Sequence, residues 1–347
     1  MSQSGGGSQP IWTHSRPISK VAIVGGTHGN ETNGVALARH LIRNPDLASR
    51  PSFETTVLLH NVEAIEKNVR YVEEDLNRCY FLKDLADPSR TTKEAKRAKE
   101  INELLGPKSV PTTDLIIDLH NTTANTGVAL MMPPKDELSH AIGAHLLEHD
   151  DTVRIVNYTA GKADYPMLPT VGRHGMTFEV GAVAWGVVDG ASYKQSLELL
   201  MRALDYVHAH NLAVQAGAPS AWRRTQLPVF EAVRTVDYPR YEDGGISAIV
   251  HPSIQHHDFT PIKKGEPVFL NMACDETIGF VPTEEEESTN ETCYPFFVNE
   301  AAYYEKGIAF MIAHRAEQPV HVLPDEAVVK AREATVDGEP SKRRKTD

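Results

Sequence analysis

The run Val21-Ala-Ile-Val-Gly-Gly-Thr-His-Gly-Asn-Glu-Thr-Asn-Gly34 decides how the chain is read. Its apolar residues Val21 to Val24 carry the signal of a short buried strand. Gly25 and Gly26 then let the backbone turn through conformations closed to other residues. An apolar-periodic helix (Val35, Ala36, Leu37, Leu41, Ile42) begins soon after. His28 and Glu31 stand three apart, a spacing that on a first helical turn points both side chains the same way. An imidazole and a carboxylate so placed can share one cation at the mouth of a strand-turn-helix, where open α/β sheets put their ligands. Borderline-soft Zn²⁺ accepts that nitrogen and oxygen pair. His-x-x-Glu alone arises often by chance, so the reading needs partners elsewhere in the chain.

The rest of the sequence supplies the frame. A chain of 347 residues suits one large domain or two. A net charge of -12 argues against nucleic-acid phosphate as the main partner. No window has the apolar length of a transmembrane helix. The N-terminus MSQSGGGSQP lacks the basic and apolar regions of a secretory signal. Cys79, Cys274 and Cys293 are an odd, widely spaced set with no disulfide framework, which favours a reducing cytoplasm.

Residues 1–17 read as a disordered tail. Over 18–211, short apolar runs at Val21–Val24, Thr55–His60, Leu115–Leu119, Gly127–Met132, Val153–Tyr158 and Met176–Val180 alternate with helical stretches. The helical stretches are Thr32–Arg43, Lys93–Leu105, Leu138–Glu148 and Ser192–His210, and the alternation predicts an α/β fold with a mostly parallel sheet flanked by helices. From 212 to 316 proline and glycine recur among strand-like pieces (Val229–Val236, Ile246–Val250, Val268–Asn271), predicting a smaller β-rich C-terminal domain. Glu284–Glu287 reads as a solvated loop, and 317–347 as a charged, disordered tail. The closing Ser341-Lys-Arg-Arg-Lys345 is either a solvated terminus or a nuclear-import signal serving a minor nuclear fraction.

A second candidate ligand is His120, at the C-terminal end of the apolar run Leu115–Leu119 and hence on the same sheet rim as His28 and Glu31. Two nitrogens, one carboxylate oxygen and a fourth position left to water describe a catalytic zinc site rather than a structural one. Asp118 shares the strand face of His120 and suits its second ring nitrogen. Read alone, His120 is more readily a hydrogen-bonded rim histidine than a ligand; beside His28 and Glu31 on the same rim the balance moves toward a metal. Glu179, one acid in the otherwise apolar Met176–Val180, is a candidate general base whose pKa burial would raise, or else a strand-end carboxylate paired with an arginine. Arg70 could polarise a scissile carbonyl, and Asn77 with Arg78 offers a donor fork for a carboxylate. Surface pairing with Glu73, Glu74 and Asp75 is the competing reading of those cations.

Gly25-Gly-Thr-His-Gly-Asn-Glu31, Asp75-Leu-Asn-Arg-Cys79, Asp118-Leu-His-Asn-Thr-Thr123, Phe178-Glu-Val-Gly181 and Asn299-Glu-Ala-Ala-Tyr-Tyr-Glu-Lys306 together resemble the aspartoacylase family. This is a zinc-carboxypeptidase-like group that hydrolyses N-acyl amino acids to a carboxylate and a free amino acid. The resemblance implies one Zn²⁺ per subunit on His28, Glu31 and His120, with Glu179 as general base and Arg70 as oxyanion stabiliser. It further implies Asn77, Arg78 and Tyr303 as holders of the substrate carboxylate, Lys306 and Tyr165 on the substrate side, and a homo-oligomer. The β-rich part would cap the channel and deliver Tyr303.

The aspartate-specific branch of the family carries an arginine ten residues before the general base. Here that position is Pro169, and Arg173 is the nearest arginine. The resemblance therefore implies the aminoacylase III branch, with N-acyl aromatic amino acids and N-acetyl cysteine conjugates as substrates and Met167, Leu168 and Pro169 as an apolar wall. Hydrolysis of N-acetyl-L-aspartate is the alternative, ahead of a metallocarboxypeptidase or a non-catalytic zinc-binding module.

Overall fold

The computed structural model describes residues 16–158, 164–218 and 221–337. The glycine-rich start and the Ser341–Lys345 cluster lie outside these residues. Among the described residues twelve strands form: β1 (Lys20–Gly25), β2 (Glu54–Leu59), β3 (Leu115–Asn121), β4 (Gly127–Met132), β5 (Val153–Asn157), β6 (His174–Gly181), β7 (Arg223–Val236), β8 (Ala248–Val250), β9 (Pro267–Asn271), β10 (Thr277–Gly279), β11 (Cys293–Phe296) and β12 (Phe310–Val322). The α-helices are α1 (Thr32–Arg43), α2 (Val62–Lys67), α3 (Leu82–Ala86), α4 (Lys93–Leu105), α5 (Glu137–Leu147), α6 (Gly190–Gln215), α7 (Glu284–Thr289) and α8 (Asp325–Asp337).

One nine-stranded sheet, in the order β11-β12-β7-β5-β4-β6-β3-β1-β2, organises the chain. The pairs β1–β2, β1–β3, β3–β6, β4–β5 and β5–β7 are parallel, while β4–β6, β7–β12 and β11–β12 are antiparallel. The apolar runs need cover on both faces, and strand alternation sorts their side chains between two layers. Val21, Ile23, Leu115, Ile117 and Leu119 join the main core with α1, α5 and α6. Ala22, Val24 and Ile116 face the other way, onto Ala98, Ile101 and Leu105 of α4. Gly34 allows α1 to lie close over β3, since a Cβ there would fall 2.3 Å from the Leu119 carbonyl oxygen.

The second half departs from the sequence reading in three ways. First, β7 and β12 are not confined to the β-rich C-terminal part. They extend the main sheet and pair along their length, from Phe310 opposite Val236 to Val322 opposite Arg223. Their outer ends pack in the main core (Leu227, Val229, Val320, Val322). Their other ends (Val236, Phe310, Ile312) pack with the three-stranded sheet β10-β9-β8.

Second, residues 317–337 are folded rather than a disordered tail. Strand β12 runs on to Val322, and Val328 and Ala331 of α8 pack into the main core. Their apolar stripe is too narrow to stand out from the charged residues around it. Third, Glu284–Glu287 opens α7 rather than lying in a loop, with Glu284, Glu285 and Glu287 exposed to solvent as expected. Thr283 caps it, accepting from the Glu286 N–H, while the Glu286 side chain accepts from the Thr283 N–H. Glu286 is only 4% exposed, and the Nε and Nη2 of Arg234 each donate to it at 2.8 Å. Among the described residues no helix is long and apolar enough to cross a membrane.

The Glu286–Arg234 pair ties α7 to β7. Burial opposes ionisation of Glu286, but Arg234, the Thr283 N–H and His314 outweigh it and pull the carboxyl from 4.5 down to about 2. The pair's contribution is therefore whole above pH 4.5 and is lost as pH falls toward 2. Glu286→Gln is expected to cost about 2–3 kcal/mol near pH 7, or roughly 3–4 °C in Tm, below the fully buried range because Arg234 is partly exposed. Thermal melts should show the gap between wild type and variant closing between pH 5 and 3. A constant gap would assign the loss to packing instead.

Candidate active site

The turn after β1 begins with Gly26 at φ +76° and carries His28, and Glu31 is the residue immediately before α1. Both therefore precede the helix rather than occupying its first turn. A tight turn (Glu31 N–H to His28 carbonyl, 3.3 Å) brings them together. Glu31 makes no capping bond to α1, because its carboxylate faces the histidines. Its Oε1 lies 2.6 Å from His28 Nδ1 and its Oε2 lies 2.7 Å from His120 Nδ1. His120 stands at the end of β3, in register with Glu179 on β6. A Glu179 oxygen is 4.0 Å from His120 Nδ1.

The outer nitrogens settle what His28, Glu31 and His120 can hold. His120 Nε2 donates to Asp118 at 2.8 Å, and His28 Nε2 donates to Asp75 at 3.0 Å. In neutral rings the protons are then spent outward, so both Nδ1 atoms present lone pairs. These atoms sit 3.1 Å apart and face the Glu31 carboxylate. Such a group of donors is repulsive unless a cation lies among them. Burial disfavours charge on His120, yet Asp118, Glu31 and Glu179 hold its pKa well above the ordinary histidine value, which marks a place that favours positive charge. Two imidazole nitrogens and a carboxylate oxygen fit Zn²⁺.

Support extends further inward. Thr27 donates to Asp118 at 2.7 Å, so the His60 Nδ1–H must donate to Thr27 (2.9 Å) and His60 Nε2 must accept from Tyr80 (2.5 Å). Burial lowers the His60 pKa to about 3, so the ring is neutral as that chain requires. Asp75 was missed as a site residue, yet it receives His28, Arg70 Nη2 (3.3 Å), Lys306 Nζ (3.0 Å) and the Asn77 N–H (3.0 Å). Its place two residues before Asn77, echoing Asp118 before His120, was the available signal. Glu300 was missed as well. Its carboxylate accepts from Thr122, the Thr123 and Ala124 N–H groups, and the Ala302 N–H, which fastens the turn Ala301–Lys306 to the end of β3.

A cavity of about 230 Å³ opens beside these groups, lined by His28, Arg70, Asn77, Arg78, Tyr158, Tyr165, Pro166, Met167, Thr177, Glu179 and Tyr303, with Met131, Ala232 and Met311 as apolar wall. Burial raises the Glu179 carboxyl to about 8; Glu31 and Glu300 add to the rise while His120 and Arg70 oppose it. Burial also works against charge on Arg70, but Glu31, Asp75, Tyr303 and Glu179 raise its pKa. Arg70 Nη1 donates to Glu31 at 3.1 Å, while its buried Nε–H has no partner. Lys306 sits on Asp75 rather than in the cavity lining.

The chain from 17 to 207 matches the succinylglutamate desuccinylase/aspartoacylase catalytic domain, and 225–315 matches the AstE/AspA barrel-sandwich hybrid domain. It belongs to the succinylglutamate desuccinylase/aspartoacylase family. Within that family it is 37% identical to a probable aspartoacylase of Nostoc sp., over 86% of this chain and 97% of the relative. It is 34% identical to the N-acyl-aromatic-L-amino acid amidohydrolase (carboxylate-forming) of Rattus norvegicus, over 89% and 94% of the two chains. The crystal structure of murine aminoacylase 3 superposes with a TM-score of 0.80 at 32% identity, covering 89% of this chain and 99% of that one.

Two expectations about the family's specificity region change. Of Met167, Leu168 and Pro169, only Met167 lines the cavity; Leu168 packs under α4, and Pro169 is buried against Gly175. The apolar wall comes instead from β4, β7 and β12. Residue Val233 is skipped in the β7–β12 register, where Ala313 pairs with Ala232 and Ile312 with Arg234. Such a bulge re-aims the neighbouring side chains, here those beside the wall. Arg173 does not turn inward. It pairs with Asp114 at 3.2 Å and lines a separate cleft at the opposite ends of β3 and β6.

The outer carboxylates give a direct test. Asp118→Asn is expected to weaken retention of a divalent ion by roughly 10–100-fold. Chelator competition monitored by metal analysis measures it, with circular dichroism confirming the fold. Undiminished affinity would show that Asp118 does not orient His120 toward a metal.

Proposed function

We propose that the protein is a zinc-dependent amidohydrolase that cleaves N-acyl-L-amino acids to a carboxylate and a free amino acid, with preference for aromatic side chains. The observation that carries this reading is that His28, Glu31 and His120 cluster beside a cavity that His28 and Glu179 line together with Met131, Ala232 and Met311. A divalent ion on the first three residues would supply Lewis acidity, acidifying water and polarising the acyl carbonyl.

The protein's own groups account for the remaining chemistry. In its ionised form, which a neighbouring divalent ion would favour, Glu179 takes a proton from the attacking water on its carboxylate oxygen and returns it to the departing amine nitrogen. The free Nε–H of Arg70 donates to the oxyanion as the carbonyl carbon becomes tetrahedral. Arg78 and Asn77 hold the amino acid carboxylate, and the Tyr303 phenol, kept protonated by burial, donates a further hydrogen bond. Met131, Ala232 and Met311 receive the side chain.

The aromatic preference rests on charge. Among the described residues the arginines lining the cavity are Arg70 and Arg78, and Arg70 already serves Glu31 and Asp75. A second substrate carboxylate against the apolar wall would cost several kcal/mol, on the order of an unpaired buried charge. The aspartoacylase reading stays as the second one, because the Nostoc relative carries that name at 37% identity.

Glu179→Gln is expected to retain metal while kcat falls by roughly 10²–10⁴-fold; near-normal turnover would remove Glu179 from its role. Side-by-side kcat/KM values should favour N-acetyl-L-phenylalanine or N-acetyl-L-tyrosine over N-acetyl-L-aspartate. The reverse order would establish the aspartate branch and leave the mechanism in place.

A further inference from the structure

Two more histidines are arranged in a way that the family chemistry leaves unused. His145 lies on α5, His149 lies in the turn just after it, and Asp325 is the first residue of α8. His149 Nδ1 donates to the His145 carbonyl at 2.8 Å, because a carbonyl only accepts. Its Nε2 points at an Asp325 oxygen 3.0 Å away. His145 is 1% exposed, and its Nδ1 is buried with no hydrogen-bond partner. That atom lies 4.0 Å from the same Asp325 oxygen. A buried nitrogen with no partner is costly, and this one faces the same carboxylate as His149, so the arrangement suits an ion shared by the three groups.

We propose that His145 Nδ1, His149 Nε2 and Asp325 Oδ1 form a second metal site, for a divalent transition ion of the Zn²⁺ class, that staples α8 to α5. The three ligand atoms lie within 4.8 Å of one another. Metal–ligand bonds of about 2.0–2.2 Å place tetrahedral ligands a little over 3 Å apart, which the His149–Asp325 spacing already meets. The His145 gap closes by a small shift of Asp325, whose side chain is 44% exposed at a helix start. Two imidazole nitrogens select zinc, cobalt, nickel or copper over magnesium or calcium.

The site shares no residue with the first one. Its consequence is structural: α8 follows β12 and covers part of the main core through Val328 and Ala331, so an ion here fastens the C-terminal end of the fold.

Metal counting on tag-free, full-length protein equilibrated with Zn²⁺ tests the proposal. Wild type is expected to hold two equivalents and H145Q/H149Q one, with kcat/KM unchanged. In H28A, which removes a ligand of the other site, added Zn²⁺ should still raise Tm by a few degrees, and Co²⁺ should give a d–d absorption band. If H145Q/H149Q folds poorly, D325N, altered at an exposed position, should lose the same equivalent. Equal stoichiometry in wild type and in the folded His145/His149 or Asp325 variants overturns the proposal, as does an H28A protein that neither binds Co²⁺ nor is stabilised by Zn²⁺. The catalytic reading is judged separately, by whether H28A loses an equivalent together with activity.

Discussion

Carboxylates hold this site together by gripping the far side of each histidine. Asp118 and Asp75 take the outer ring protons, and only then do His120 and His28 turn bare nitrogens toward Glu31. The arrangement concentrates negative charge at the rim of a buried sheet, where water cannot screen it. Arg70 and Lys306 offset part of that charge through Asp75, and the histidines and Glu31 leave a place for a cation. Remove the outer carboxylates and the rings lose both tautomer and orientation.

The sheet makes such crowding possible. Parallel pairing of β1, β3 and β6 brings the turn after β1, His120 and Glu179 to one rim, with His120 and Glu179 directly in register. The side chains are aimed by backbone ladders buried on both faces, so their geometry has the rigidity of the core. Glu300 extends that order to the late turn carrying Tyr303 by bonding to the loop after β3. Residues nearly two hundred positions apart meet through this one carboxylate.

Much of this was legible in the chain because local signals and tertiary needs agreed. The apolar run before Gly25 made β1, Thr32–Arg43 and Lys93–Leu105 formed helices with those bounds, and Gly127–Met132 formed β4. His28, Glu31, His120 and Glu179 were readable because each sits beside a strong strand signal. Asp75 was not, because a carboxylate amid Glu73, Glu74 and Arg78 looks like surface charge until His28 is placed against it. The wall of Met131, Ala232 and Met311 was equally hidden, since it is assembled from three separate strands and has no sequence period. Strand β12 and helix α8 were missed because polar residues dominate their exposed faces.

The long ribbon of β7 and β12 has one further consequence. Its ends are rooted in two different cores, and its middle supplies Ala232 and Met311 to the cavity. The part of the molecule over the site is thus not a lid on a flexible tether. Widening the entrance would mean bending two strands that also hold both cores, so breathing of the pocket is tied to the cooperative unit of folding. Substrate breadth in such a molecule is set by which side chains line the ribbon, and selection can alter it one residue at a time without loosening the frame.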